Sequence, residues 1–210
     1  MLQLKLSNSN FPKTEEEKLQ IIEKASKSFG TVLSDLGYDW EHDPNMQDTP
    51  KRYIKAMVYE LCKGNYDPEP KITSFENVDK YDGMVAQLAI PTVSLCAHHL
   101  LSFTGFTHVA YLPGKDGKVI GLSKLNRICD HHARKPQVQE NLTMQIHDHI
   151  NRVCEGNLGV AVMIEANHTC CSNRGIGHNS TMKTSKLSGA FMDNNDKSRD
   201  EFYSFIRDLK

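Results

Sequence analysis

Residues 159–168, GVAVMIEANH, form a nearly continuous apolar run that ends on an asparagine and a histidine. A run of this length falls well short of a membrane span and matches a buried strand. Directly beyond it the chain reads TCCSNRGIG, with Cys170, Cys171 and Arg174 among turn-forming residues. The same design occurs upstream, where MVAQLAIPTVSL (84–95) reads as a strand that runs out into CAHHLL (96–101). If those two strands are neighbours, thiols and imidazoles from both ends meet in one place.

The flanking pattern supports a mixed fold. TEEEKLQIIEKASKSFGTVLSDLGYD predicts an amphipathic helix with Thr14 as N-cap, Glu17 three residues on, and Leu19, Ile22, Ala25 and Phe29 at helical spacing. The dozen polar residues before it are expected to be loose. A second helix is predicted after EHDPNMQDTP, with Pro50 in its first turn and Ile54, Met57, Val58 and Leu61 as its buried stripe, stopping near Gly64. From Ile72 onward KITSFEN, THVAYLP and KVIGL read as strands, with GKDG as a tight turn. Two helices follow, SKLNRICDHHAR and PQVQENLTMQIHDHINRVCEG, the second opening at Pro136. STMKTSKLSGAF then gives a Thr/Ser-rich strand and DKSRDEFYSFIRDL a closing helix. Hairpin-paired strands with helices clustered on one face indicate an α+β domain behind an N-terminal helical extension. The expected division is 1–68 for the helical region and 69–210 for the catalytic domain.

Composition narrows the function. A formal net charge of -1 over 210 residues argues against a nucleic-acid binder that relies on overall positive charge, while a small anionic ligand stays open. The N-terminus lacks the apolar core of a secretory signal and no run reaches transmembrane length, so a cytoplasmic protein without membrane association is expected. In a reducing compartment, the 6 cysteines favour metal binding or buried thiols over disulfides.

Cys96 and His99, three apart at a strand end, can share one ion, and His168 with Cys170 or Cys171 would complete a tetrahedral site. Spacing does not choose between Cys170 and Cys171. Cys62, Cys129 and Cys154 lie on helical patterns and read as buried apolar groups. His131 with His132, and His147 with His149, sit at spacings that do not share a helix face, and read as solvated surface. VIGLSKLNR carries the chain from a strand into a helix capped by Ser123, with Lys124 and Arg127 at i and i+3: a phosphate site or a solvated face. Arg174 adds a cation beside the metal loop. Gln139 and Glu140 open the next helix, and a carboxylate beside an amide suits the N1–H and N2–H₂ edge of guanine, although the helix dipole alone favours Glu there.

In order along the chain, DTPKR (48–52), PKIT (70–73), CAHH (96–99), HVAYLP (108–113), VIGLSKLNRI (119–128), PQVQENLTMQI (136–146) and VAVMIEANHTC with RG at 174–175 resemble the GTP cyclohydrolase I family over roughly residues 14–208. The resemblance implies the tunnelling fold, in which strands of several subunits close a large barrel, and a homodecamer of two pentamers with active sites at subunit interfaces. It implies Zn2+ held by Cys96, His99 and Cys170, proton transfer by His98 and His168, and Ser123 near the ribose. Gln139 and Glu140 would hold guanine, and Lys124, Arg127 and Arg174 the triphosphate. The implied substrate is GTP and the implied products are formate and 7,8-dihydroneopterin triphosphate. One departure is Ala97, where the family motif usually carries Glu. The competing readings are a related tunnelling-fold enzyme acting on another purine or pterin, and a non-catalytic module with structural zinc. A nucleobase deaminase lacks support because the H-x-E and P-C-x-x-C pattern is absent.

Overall fold

The structure is a computed structural model that describes residues 4–209. It divides into two compact units, one up to Glu69 and the other from Pro70.

The first unit is helical. α1 (Glu15–Asp35) starts on a full capping box: Thr14 accepts from the Glu17 N–H while the Glu17 carboxylate accepts from the Thr14 N–H. α2 (Thr49–Ala56) has Pro50 in its first turn and continues through a wider π turn at Met57–Leu61 into the short α3 (Lys63–Tyr66). Val58 and Cys62 are buried, while Ile54, Met57 and Leu61 are half-buried. Lys18 is buried between Asp67 at 2.6 Å and Glu15 at 2.8 Å, and those carboxylates raise its pKa. Residues 7–13 ahead of α1 are tied down rather than loose, while residues 1–3 of the stretch expected to be loose lie outside the described residues. The Asn65 amide donates to the carbonyls of Ser7 and Ser9, the Asn10 amide donates to those of Gly64 and Asp67, and Phe11 packs edge-on against Tyr66. Polar composition hid this because the ties are side-chain amides bonding to backbone, which leave no apolar pattern.

The second unit is built on a five-stranded sheet in the order β5-β2-β3-β6-β7. Its strands are β2 (Val85–Cys96), β3 (Ser102–Leu112), β5 (Pro136–Gln137), β6 (Gly159–His168) and β7 (Thr181–Leu187). Every pairing is antiparallel except the short β2–β5 pair. A separate ribbon joins β1 (Ser74–Glu76) and β4 (Lys118–Ile120). Helices α4 (Leu122–Ala133) and α5 (Gln139–Val153) cover one face, where Leu125, Ile128, Leu142, Ile146 and Ile150 meet Val109, Tyr111, Val160, Val162 and Ile164. The opposite face is apolar at one end. There Ala110, Leu112, Ala161 and Met163 are covered by Phe191, in a 3₁₀ turn at Gly189–Met192, and by Phe202 and Ile206 of α7 (Ser198–Arg207). β6 is apolar from Gly159 to Ile164 because both of its faces are buried there, and each fully buried Val or Ile contributes about 1.5–3 kcal/mol.

Two helix starts differ from expectation. α4 is capped by Gly121, so Ser123 lies inside its first turn. α5 begins at Gln139 behind Val138, because Pro136 and Gln137 are drawn into β5 alongside Leu95 and Cys96.

The four helical histidines are buried, contrary to the solvated surface expected from spacing within each helix. α4 and α5 pack together, so His132 Nε2 comes within 2.9 Å of His149 Nδ1 across the interface, with the buried Lys135 Nζ 3.3 Å from His132 Nδ1. His131 is buried beside this pair, edge-on to His132. His147 Nε2 meets Ser188 Oγ at 2.9 Å, and its Nδ1 meets Asp148 Oδ1 at 2.9 Å. The three helical cysteines are buried as expected. Among the described residues, no helix is long and apolar enough to cross a membrane.

Burial, with Lys135, His149 and His131 close by, pushes the His132 pKa down to about 2 from an ordinary 6.5. The unfolded chain therefore takes up this proton near neutrality and the folded chain does not. The associated stability is complete above the unfolded pKa and is lost as pH falls towards the folded one. Unfolding free energy should drop by about 1.4 kcal/mol per pH unit in that window from this group alone. Denaturant titrations at roughly pH 5.5 and 4.5, both inside that window, should show that slope, and His132→Gln should flatten it.

Candidate active site

The hairpin between β2 and β3 is closed by residues 96–101. The Cys96 N–H donates to the Leu101 carbonyl and the Leu100 N–H to the Cys96 carbonyl, both at 2.8 Å. Leu100 adopts φ 54, a left-handed conformation that costs a non-glycine residue roughly 1–2 kcal/mol. This tight loop presents Cys96, His98 and His99 at the end of β2. β5 lies beside it, with the Ala97 N–H donating to the Gln137 carbonyl at 3.1 Å, and so brings the start of α5 next to the cysteine.

On the other side, β6 pairs with β3 in a register that sets His168 opposite Phe103. Gly105 is needed in this ladder, since a Cβ there would lie 2.0 Å from the Glu165 carbonyl oxygen. The His168 ring stacks on the buried Phe103 ring, with centroids 4.5 Å apart and planes 11° off parallel. A short turn, α6 (Thr169–Ser172), follows, held to β3 by the Thr169 hydroxyl donating to the Ser102 carbonyl at 2.6 Å. Cys170 is thereby turned towards Cys96.

The result is one cavity of about 340 Å³ whose lining includes Cys96, His98, Gln139, Glu140, His168, Cys170 and Cys171. The ligand atoms of Cys96, His168 and Cys170 lie within 4.8 Å of one another. Cys96 Sγ is 3.5 Å from His98 Nδ1, and Cys170 Sγ is 3.9 Å from His168 Nδ1. Burial, with the Cys96 and Cys171 thiols close by, pushes the Cys170 thiol up to about 11. Burial also lowers the His168 pKa, against the pull of Glu140. A cation bound among these groups would reverse the thiol shift, and two thiols with imidazoles form the soft nitrogen–sulfur donor set that suits a metal such as zinc.

Of the residues singled out in the sequence, Cys96, His98, His168, Cys170, Gln139 and Glu140 share this cavity. His99 is exposed beside it, with Nε2 2.5 Å from Arg174 Nη1. Ser123, Lys124 and Arg127 stand together in the first turns of α4 and do not line the cavity. Sequence reasoning did not find Phe103, Val138, Ser180 or Met182, which shape the cavity or the His168 ring. Phe103 lies two residues beyond the CAHHLL loop, at the start of the next strand, and that proximity was its only signal.

A helix-backed sheet whose strand ends gather thiols, imidazoles and a carboxylate around one cavity makes an α+β domain with one candidate catalytic pocket. A model of the GTP cyclohydrolase I family matches residues 25–207. The chain is 41% identical over 204 residues to GTP cyclohydrolase 1 of Flavobacterium johnsoniae, covering 96% of this chain and 87% of that protein. It is 45% identical over 187 residues to GTP cyclohydrolase 1 of Alkalilimnicola ehrlichii, covering 88% and 98%. A protein of Pseudomonas syringae pv. tomato named GTP cyclohydrolase 1 1 is 47% identical over 177 residues, covering 83% and 91%. The chain belongs to the GTP cyclohydrolase I family.

Phe103 carries both the core and the His168 ring. Phe103→Ala should cost about 3–5 kcal/mol in denaturant unfolding. Phe103→Tyr, which keeps an aromatic face, should cost less, and equal losses for the two would contradict the stacking role.

Proposed function

We propose that this protein converts GTP and water to formate and 7,8-dihydroneopterin triphosphate, with residues 69–210 as the catalytic domain. The observation that carries the reading is the single cavity where three thiols, two imidazoles and the Glu140 carboxylate converge. The family relationship supplies the substrate.

Zn2+ is the proposed metal, with Cys96, Cys170 and His99 as its ligands; when bound, it supplies Lewis acidity and a water that ionises near neutral pH. His99 lies three residues after Cys96 on the same loop, where its Nε2 meets Arg174 Nη1. Glu140 accepts hydrogen bonds from the N1–H and N2–H₂ groups of guanine, and Gln139 lies beside it in the same lining. With guanine so held, its imidazole ring faces the two histidines. His168 protonates N7, which makes C8 more electrophilic and eases opening of the ring. His98 takes and returns protons during formamide hydrolysis and the later opening and reclosure of the ribose. A lowered His168 pKa keeps the ring neutral at rest, so that it takes its proton on the reaction path.

Ser123 is assigned to the ribose and Lys124, Arg127 and Arg174 to the triphosphate. The distance of α4 from the lining is accounted for by an interface site, in which a neighbouring subunit brings its Ser123, Lys124 and Arg127 to this cavity. The outer edge of β7 supports a homo-oligomer, proposed to be a decamer of two pentamers, because an unpaired strand edge is a template for pairing with another chain. The protein is proposed to act in the cytoplasm.

Incubation with GTP should release formate and yield a pterin that fluoresces after oxidation; no formate from zinc-loaded protein would refute the reading. Glu140→Ala should raise the GTP dissociation constant by about 10-fold or more, the effect of removing a charged hydrogen-bond partner. His168→Ala should abolish formate release while GTP still binds, and unchanged turnover would remove its assigned role.

A further inference from the structure

We infer that Gln139 serves the reaction through His168, as a positioning residue that fixes the tautomer and in-plane orientation of the imidazole, rather than as a contact to guanine. The inference rests on the proposed function and deepens it, by leaving the recognition of guanine to Glu140 alone of this pair.

The Gln139 side chain is nearly inaccessible, at 1% exposure, and its hydrogen-bonding capacity is spent inside the protein. Its amide nitrogen has three acceptors, the carbonyls of Ile164 and Met182 at 3.1 and 3.2 Å and Thr184 Oγ1 at 3.1 Å. Two of these are backbone carbonyls, which can only accept, so the amide cannot be turned the other way without setting oxygen against oxygen. Oε1 must therefore face His168, whose Nε2 lies 2.9 Å away. An amide oxygen only accepts, so Nε2 must carry a proton. The lone pair of the neutral ring is then on Nδ1, which is turned to Cys170 Sγ at 3.9 Å and thus to the reacting side of the cavity.

Two independent contacts define the ring completely. Phe103 sets its plane by stacking, and Gln139 sets its rotation within that plane. Gln139 is itself anchored on two strands, β6 through Ile164 and β7 through Met182 and Thr184, and on the first turn of α5. A second hydrogen bond, Thr143 Oγ1 to Thr184 Oγ1 at 2.6 Å, fixes the acceptor that Gln139 uses. A residue meant to bind guanine would leave an amide edge open to the cavity, and here both edges are occupied.

The test reads the His168 tautomer directly, by nitrogen-15 NMR of the zinc-loaded enzyme labelled at histidine, with His168→Gln used to identify the resonance. The wild type should show the proton on Nε2, and a proton on Nδ1 would overturn the inference without any variant. Gln139→Met, near in shape but without the amide, should populate both tautomers and lower kcat by about 10- to 100-fold, while the KM for GTP stays within about twofold. A Gln139→Met enzyme with an unchanged tautomer, or one whose loss lies in KM with kcat kept, would return Gln139 to substrate binding. A wild type that shows the predicted tautomer yet releases no formate from GTP would sink the proposed function and leave this arrangement standing.

Discussion

The ladder between β3 and β6 is the constraint on which the site depends. Its register runs from Phe103 opposite His168 to Leu112 opposite Gly159, and a slip by one residue would turn every side chain to the other face. His168 would then leave Phe103, and the turn that follows would carry Cys170 away from Cys96. Gly105 enforces the register at the site end, because only a residue without Cβ tolerates the Glu165 carbonyl so close. At the other end both faces of β6 are buried against different partners, Val160, Val162 and Ile164 on one and Ala161 and Met163 on the other, so a slip would mispack both.

The site is completed by two devices that cross between elements. The two-residue strand β5 turns the end of α4 into the start of α5 alongside Cys96, so that a helix begins where the thiol is presented. A polar stripe then runs down α5 at helical spacing: Gln139, Thr143 and His147 meet Thr184 and Ser188, while Lys186 reaches Asp148 at 2.7 Å. Hydrogen bonds to buried partners are costly to leave unmade, so this stripe fixes the axial position of the helix where apolar contacts would tolerate sliding. Glu140, the residue proposed to meet guanine, is held at its first turn.

Much of this was legible in the sequence, for identifiable reasons. The α1 capping box is a local pattern, and Thr14 with Glu17 formed as their spacing required. The long strands announced themselves by apolar runs, and the clustering of Cys and His at two strand ends pointed to one cavity before any neighbour relation was known. What failed to show depends on contacts between elements. Pro136 looks like a helix start, yet pairing with Leu95 takes it into β5. His132 and His149 share no face within one helix but face each other across two. Gln139 looks like an exposed first-turn residue, and its burial follows only from how β6 and β7 pass beneath it.

Two strand ends, one closing β2 and one closing β6, are proposed to build a single metal centre from Cys96 and Cys170 and to leave Cys171 outside it. Replacing the metal with cobalt(II) makes the thiolate count visible, through the sulfur-to-metal charge-transfer absorption of the bound ion. The native protein should show an intensity corresponding to two thiolates, lost or halved in Cys96→Ser and in Cys170→Ser and unchanged in Cys171→Ser. An absorption that depends on Cys171, or one that survives the loss of both Cys96 and Cys170, would contradict it.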